Sequence, residues 1–174
     1  MMNPSRHAEN RNWLESLGRS IPGFKGYLEK EYRRDADFLA RKALADRLQR
    51  SKPAIDNYMR SILDLGALDG LTQCERIRTR VDGLINQMRG DVRGYSGIFD
   101  FVKVREDLLD QVYEHDMSLL DDVEALAASI EALTTSVEPP ATAVPPIMRQ
   151  IEEVERLYAK RGELLKGLGP DVPR

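Results

Sequence analysis

His115 stands between Glu114 and Asp116 in the run "YEHD", the first place in this sequence to look for chemistry. A di-metal helical bundle draws Glu-x-x-His pairs from facing helices, so that both ligands share one face a turn apart. Here the residue three before His115 is Val112, and the other histidine, His7, is remote in a tail. A solvated or ion-paired His115 is expected in place of a metal ligand. Cys74 lies two residues past a candidate helix cap, where the helix dipole favours thiolate, but it has no CxxC partner and no base to activate it. Packing is the expected role of that thiol. The glycines at 90, 94 and 97 follow a helical pattern and match neither G-x-G-x-x-G nor G-K-S/T, so no phosphate cradle is expected. Asp107, Asp110, Glu114, Asp121 and Asp122 could pair for acid–base work, yet no complementary base accompanies them and they read as a solvated helix face. The sequence thus predicts no catalytic residue, no metal ligand and no cofactor.

The elements that would position these residues are helical. "NWLE" opens a short helix capped by Asn12 and stopped by Gly18, and "SIPGFKGY" is a turn. From Tyr27 a long helical pattern runs through Leu28, Tyr32, Ala36, Leu39 and Ala43, with Leu44 and Leu48 drifting to a second face. Pro53 is expected to kink it or to open a new helix capped by Ser51, whose stripe is Ile55, Tyr58, Met59 and Ile62. "LGALDGLT" marks a reversal, and Thr72 with Glu75 has the spacing of a capping box. The next helix buries Ile77, Val81, Leu84 and Met88 and ends near Gly90 to Gly94.

The clearest periodicity follows. Leu109, Val112, Asp116, Leu119, Val123, Leu126, Ile130 and Leu133 alternate spacings of three and four, a heptad seam with one acid in it. "VEPPATAVPP" reads as extended chain because its prolines remove donors and fix the backbone. A last helix carries Ile147, Ile151, Val154, Tyr158 and Leu165. The predicted fold is all-α, an elongated antiparallel helical bundle with coiled-coil-type packing, its connections short enough to make neighbours antiparallel. Its divisions are a short amphipathic helix and turn (1–26), a bundle core (27–138), a Pro-rich linker (139–146) and a C-terminal helix with its tail (147–174).

Charge divides along the chain. The formal net charge is −3 and the sequence pI about 5.5, which argues against a general nucleic-acid-binding field. Residues 28–52 nevertheless carry eight Lys/Arg against five acids, whereas 106–138 carry acids and no Lys or Arg. The basic helix is expected to pair with the acidic one. A lone cysteine asks for no oxidising compartment, and neither a signal-peptide core nor a membrane-length apolar run is visible, so a cytoplasmic location is expected.

"IPGFKGYLEKEYRRDADFLAR", "GYSGIFDFVKV" and "YEHD" together resemble a group of uncharacterised bacterial helical proteins that carry an IPG-aromatic-x-GY turn and a GYSGxFD segment. The likeness spans roughly residues 20–125. It implies a bacterial origin and one continuous unit, and it transfers no activity and no site.

The resulting expectation is a non-enzymatic scaffold, adaptor or assembly subunit acting through helical protein–protein contacts, with a protein partner or a second copy. Tyr95, Ile98, Phe99 and Phe101 gather at a helix break and are the interaction candidates; large apolar side chains there plug the bundle end or dock a partner. An alternative is a peripheral protein on an anionic membrane surface, touching it through Trp13, Leu17, Ile21 and Phe24 beside Arg11 and Arg19. A third reading, an enzyme or small-ligand protein, requires an enclosed pocket between helices.

Overall fold

The computed structural model describes residues 30–66, 70–90 and 106–167. These form α1 (Lys30–Asp64), α2 (Leu71–Gly90), α3 (Glu106–Ala132) with a 3-10 turn at Leu133–Thr135, and α4 (Pro140–Gly167). The described residues are all-α, and every helix contributes to one apolar cluster: Leu48 and Ile55 from α1, Ile77 and Leu84 from α2, Leu126 from α3 and Ile151 from α4 are fully buried in it.

The contacts divide the bundle into two hairpins laid side by side. Within the first, Lys52 pairs with Asp82 and Asp46 with Arg89, so α1 and α2 run in opposite directions. Within the second, Asp116 bonds to Arg161 while Asp122, farther along α3, lies near Glu153, earlier in α4, so α3 and α4 also run oppositely. Between hairpins the sense changes. Arg47 meets Glu124 and Tyr58 meets Glu138, which sets α3 alongside α1 in the same direction. Arg80 meets Glu152 and Glu155, and the start of α2 at Gly70 abuts Pro140 at the start of α4. The helices thus run oppositely within each hairpin and in the same sense across the two hairpins. The connection from α2 to α3 joins helices that are not main packing partners.

Two readings of proline are corrected: that a separate helix opens at Pro53, and that 139–146 is an extended linker. α1 continues through Pro53 as one helix, and Ser51 is no N-cap of a new one: its buried hydroxyl donates back to the Leu48 carbonyl at 2.8 Å. The donor that Pro53 lacks would have served the carbonyl of Gln49, which is solvent-exposed, as is Pro53, so water can take its place. Residues 140–146 are likewise helix and not the extended linker read from "VEPPATAVPP". Pro140 occupies the first helical position, where a missing N–H costs nothing, and the Pro139 carbonyl accepts from the amides of Thr142 and Ala143. Pro145 and Pro146 sit on the outer face while Val144 and Ile147 turn inward; the carbonyls left without donors belong to Ala141 and Thr142, both exposed. A smaller difference concerns Thr72: α2 begins at Leu71, which puts Thr72 inside the first turn instead of at the cap.

The apolar stripes follow the sequence closely. Ile55, Tyr58 and Ile62 of α1 are buried, and so are Ile77, Val81, Leu84 and Met88 of α2. The seam residues Val112, Leu119, Val123, Leu126, Ile130 and Leu133 are buried too, as are Ile147, Ile151, Val154, Tyr158 and Leu165 of α4.

Candidate functional site

The side chains singled out for chemistry are engaged by the bundle itself. His115 is partly buried, and its Nε2 lies 2.8 Å from the Leu157 carbonyl, which uses one ring nitrogen to tie α3 to α4. Beside it Asp116 takes a fork from Arg161, Nε to Oδ1 at 2.7 Å and Nη2 to Oδ2 at 3.1 Å. Arg161 is only 3% exposed. Such a pair is retained by geometry that satisfies both charges, because removing either partner strands the other in the interior. Cys74 is fully buried, and burial pushes its thiol above the ordinary range, the opposite of what a nucleophile needs.

Carboxylates of the acidic helix serve as helix-to-helix contacts. Arg47 of α1 holds Glu124 at 2.6 and 2.8 Å and Glu131 at 2.6 and 3.0 Å, the pairing expected between the basic and acidic helices. Hydrogen bonds from Arg47 hold the Glu131 carboxyl below its usual range. Arg80 makes the equivalent bridge from α2 to Glu152 and Glu155 of α4. In both bridges the cation belongs to the first hairpin and the acids to the second. Asp122 differs: burial first, then the neighbouring Glu153 and Asp121, raise its carboxyl, with Arg156 opposing. The side chains of Asp107 and Asp110 lie outside the described residues. No group of three or more His, Cys, Asp or Glu that could hold a metal ion occurs among the described residues.

One surface feature escaped the reading of the sequence. Phe38, Arg41, Lys42 and Asp46 of α1 and Met88 and Arg89 of α2 line an open groove of about 300 Å³. Phe38 is 46% exposed, whereas Met88 is buried. Arg41 is held at its base, donating from Nη1 to the Met88 carbonyl at 3.1 Å, and Arg89 reaches Asp46 at 3.0 Å. Among the described residues the groove therefore combines the exposed Phe38 ring with Lys42 and the Arg89–Asp46 pair, and Arg41 lies at its base. The sequence signal for it was weak, because Phe38 reads as one aromatic among alternating charges and gains its meaning only when α2 brings Met88 alongside.

The groove lies at the end of the bundle where α2 closes at Gly90. The interaction candidates Tyr95, Ile98, Phe99 and Phe101 lie outside the described residues, as do the membrane-contact candidates Trp13, Leu17, Ile21 and Phe24. No helix among the described residues is long and apolar enough to cross a membrane. Comparison with protein-family models, curated proteins and solved structures found no match to this chain.

Proposed function

We propose that this protein is a non-enzymatic scaffold, adaptor or assembly subunit that works through helical protein–protein contacts. The observation that carries this reading is how its interior polar groups are used. Arg41, Ser51 and Arg161 are the buried polar residues among those described, and each bonds to a helix of the bundle: Arg41 to the Met88 carbonyl, Ser51 to that of Leu48 and Arg161 to Asp116. An enzyme spends stability on buried polar groups aimed at a substrate. Here the two buried arginines are spent on holding helices together, and Ser51 bonds within α1.

The groove at Phe38 supplies the proposed contact surface. Its exposed Phe38 ring, with Lys42 and Arg89 beside it, suits a protein segment that presents an apolar side chain flanked by acids. Tyr95, Ile98, Phe99 and Phe101 remain proposed interaction residues. The proposal includes a cytoplasmic setting and a bacterial source, in keeping with the lone buried thiol and the resemblance in the IPG and GYSG segments.

The test is recovery of the tagged full chain from its native cell with identification of co-purifying proteins, together with light scattering on the purified chain. A second protein recovered in stoichiometric amount, or a defined homo-oligomer, is the expected result. A monomer that recovers nothing and turns over a small molecule would reject the reading.

A further inference from the structure

The α3 seam carries one charged residue, Asp116, at a position where its heptad pattern otherwise places apolar side chains. The α4 seam has a counterpart. Ile147, Ile151, Val154, Tyr158, Arg161 and Leu165 follow one another at spacings of four and three, so Arg161 is the charged member of its own stripe. These two exceptions meet each other, with both oxygens of Asp116 bonded to the Arg161 guanidinium.

Counting away from that pair, the two spacings stay in step. In antiparallel order Leu119 comes level with Tyr158, Val123 with Val154, Leu126 with Ile151, Ile130 with Ile147 and Leu133 with Val144, and all ten are buried. A slip of one heptad would match apolar with apolar again in nearly every layer. Only the charged layer would suffer, because Asp116 would face an apolar residue and Arg161 another. Homotypic pairing meets the same obstacle, since α3 against a parallel α3 sets Asp116 on Asp116 and α4 against α4 sets Arg161 on Arg161. Inside the hairpin the short 136–139 connection already limits slippage, but no connection constrains helices of different copies.

We propose that the Asp116–Arg161 layer is a partner-selection device that directs the α3 seam to the α4 seam of its own hairpin and rejects pairing of either seam with a second copy. The physical basis is the asymmetry of buried charge: a satisfied pair adds little stability over an apolar layer, whereas an unpaired or like-charged layer is strongly disfavoured. This goes beyond the proposed association through the Phe38 groove, which lies on the other hairpin.

Three full-length chains test it by light scattering over a tenfold range of concentration, with thermal melting on the same samples. The Asp116→Leu/Arg161→Leu chain is expected to melt at or above the wild-type temperature and to show larger species that wild type lacks, growing with concentration. The charge-exchanged Asp116→Arg/Arg161→Asp chain is expected to keep the wild-type size distribution. Mixing two differently tagged copies should give co-elution through the new species for the leucine chain. A leucine chain with the wild-type size distribution overturns the proposal whether its melting rises, holds or falls, because the pair would then govern stability or nothing. If the charge-exchanged chain does not fold, the leucine chain alone decides.

Discussion

Replacing Gly70 with alanine probes a close approach between the two hairpins. A Cβ added to Gly70 would overlap Pro140 Cγ and stand 2.8 Å from Pro140 Cβ and 3.3 Å from Pro140 Cδ. Carbon atoms in contact prefer about 3.5–4.0 Å, so the chains must part by roughly 1 Å. A change of ring pucker can move Cγ, but the Pro140 Cβ is fixed by the backbone that opens α4, so the contact does not yield easily. Among the described residues Gly66 is the glycine with positive φ, at 71°, so the backbone at Gly70 accepts alanine. Taken alone, that exchange would stabilise by about 0.4–1 kcal/mol through the unfolded chain. Overpacking a closed contact costs about 1–3 kcal/mol, and the clash therefore prevails with a net loss of about 1–2 kcal/mol. With a urea m-value of about 1–3 kcal/mol/M, the denaturation midpoint followed by helical circular dichroism should fall by roughly 0.5–1 M. Gly70→Ala/Pro140→Ala, which removes Cγ and Cδ but keeps the Cβ at 2.8 Å, should recover part of that loss. A single variant with an unchanged or higher midpoint would refute the close approach of the two turns.

Two further predictions concern the core. Leu126 is fully buried in α3, and Leu126→Ala removes about three carbon groups at ~0.8 kcal/mol each, with a cavity term besides, for a loss of about 2–5 kcal/mol in urea denaturation. Leu65→Ala, at a residue 83% exposed, should stay within about 0.5 kcal/mol of wild type, and equal effects at the two sites would contradict the burial pattern. Burial raises both the Cys74 thiol and the Tyr58 phenol. The folded chain then holds protons that the unfolded chain releases, so stability should fall as pH rises above roughly 8.5 and further above roughly 10. Urea midpoints at pH 8 and 9.5 measure the first part, and Cys74→Ala should flatten it; a wild-type midpoint equal at both values would count against the buried thiol.

The periodic part of the fold was legible because burial repeats with the helix. Ile77, Val81, Leu84 and Met88, and the seam from Val112 to Leu133, could be assigned to the core from spacing alone. The proline-rich stretch was misread because loss of a hydrogen bond is costly only where nothing replaces it. At Pro53, Pro145 and Pro146 the affected carbonyls lie on exposed faces, a fact about orientation that a count of prolines does not contain. Asp116 could be recognised as an exception within the α3 seam, but its partner required continuing the α4 stripe from Tyr158 through position 161 to Leu165. Arg47 and Arg80 show a further limit. The expectation that a basic helix faces an acidic one identifies the helices, whereas the choice of Glu124 with Glu131, or Glu152 with Glu155, depends on two hairpins lying in parallel. The groove at Phe38 was hidden because it joins residues at the far ends of one hairpin, which only the packing of α1 on α2 brings together.

The most direct test of association through the Phe38 surface is the recovery of partner protein by the full chain and by its Phe38→Glu variant, in parallel with their melting temperatures. Phe38 is half-exposed, so the substitution should leave melting close to wild type while placing an acid in a groove proposed to receive an acidic segment. The expected result is unchanged melting with at least a tenfold loss of the stoichiometric partner, or of self-assembly if the partner is a second copy. Unchanged melting with undiminished recovery or assembly would contradict the account.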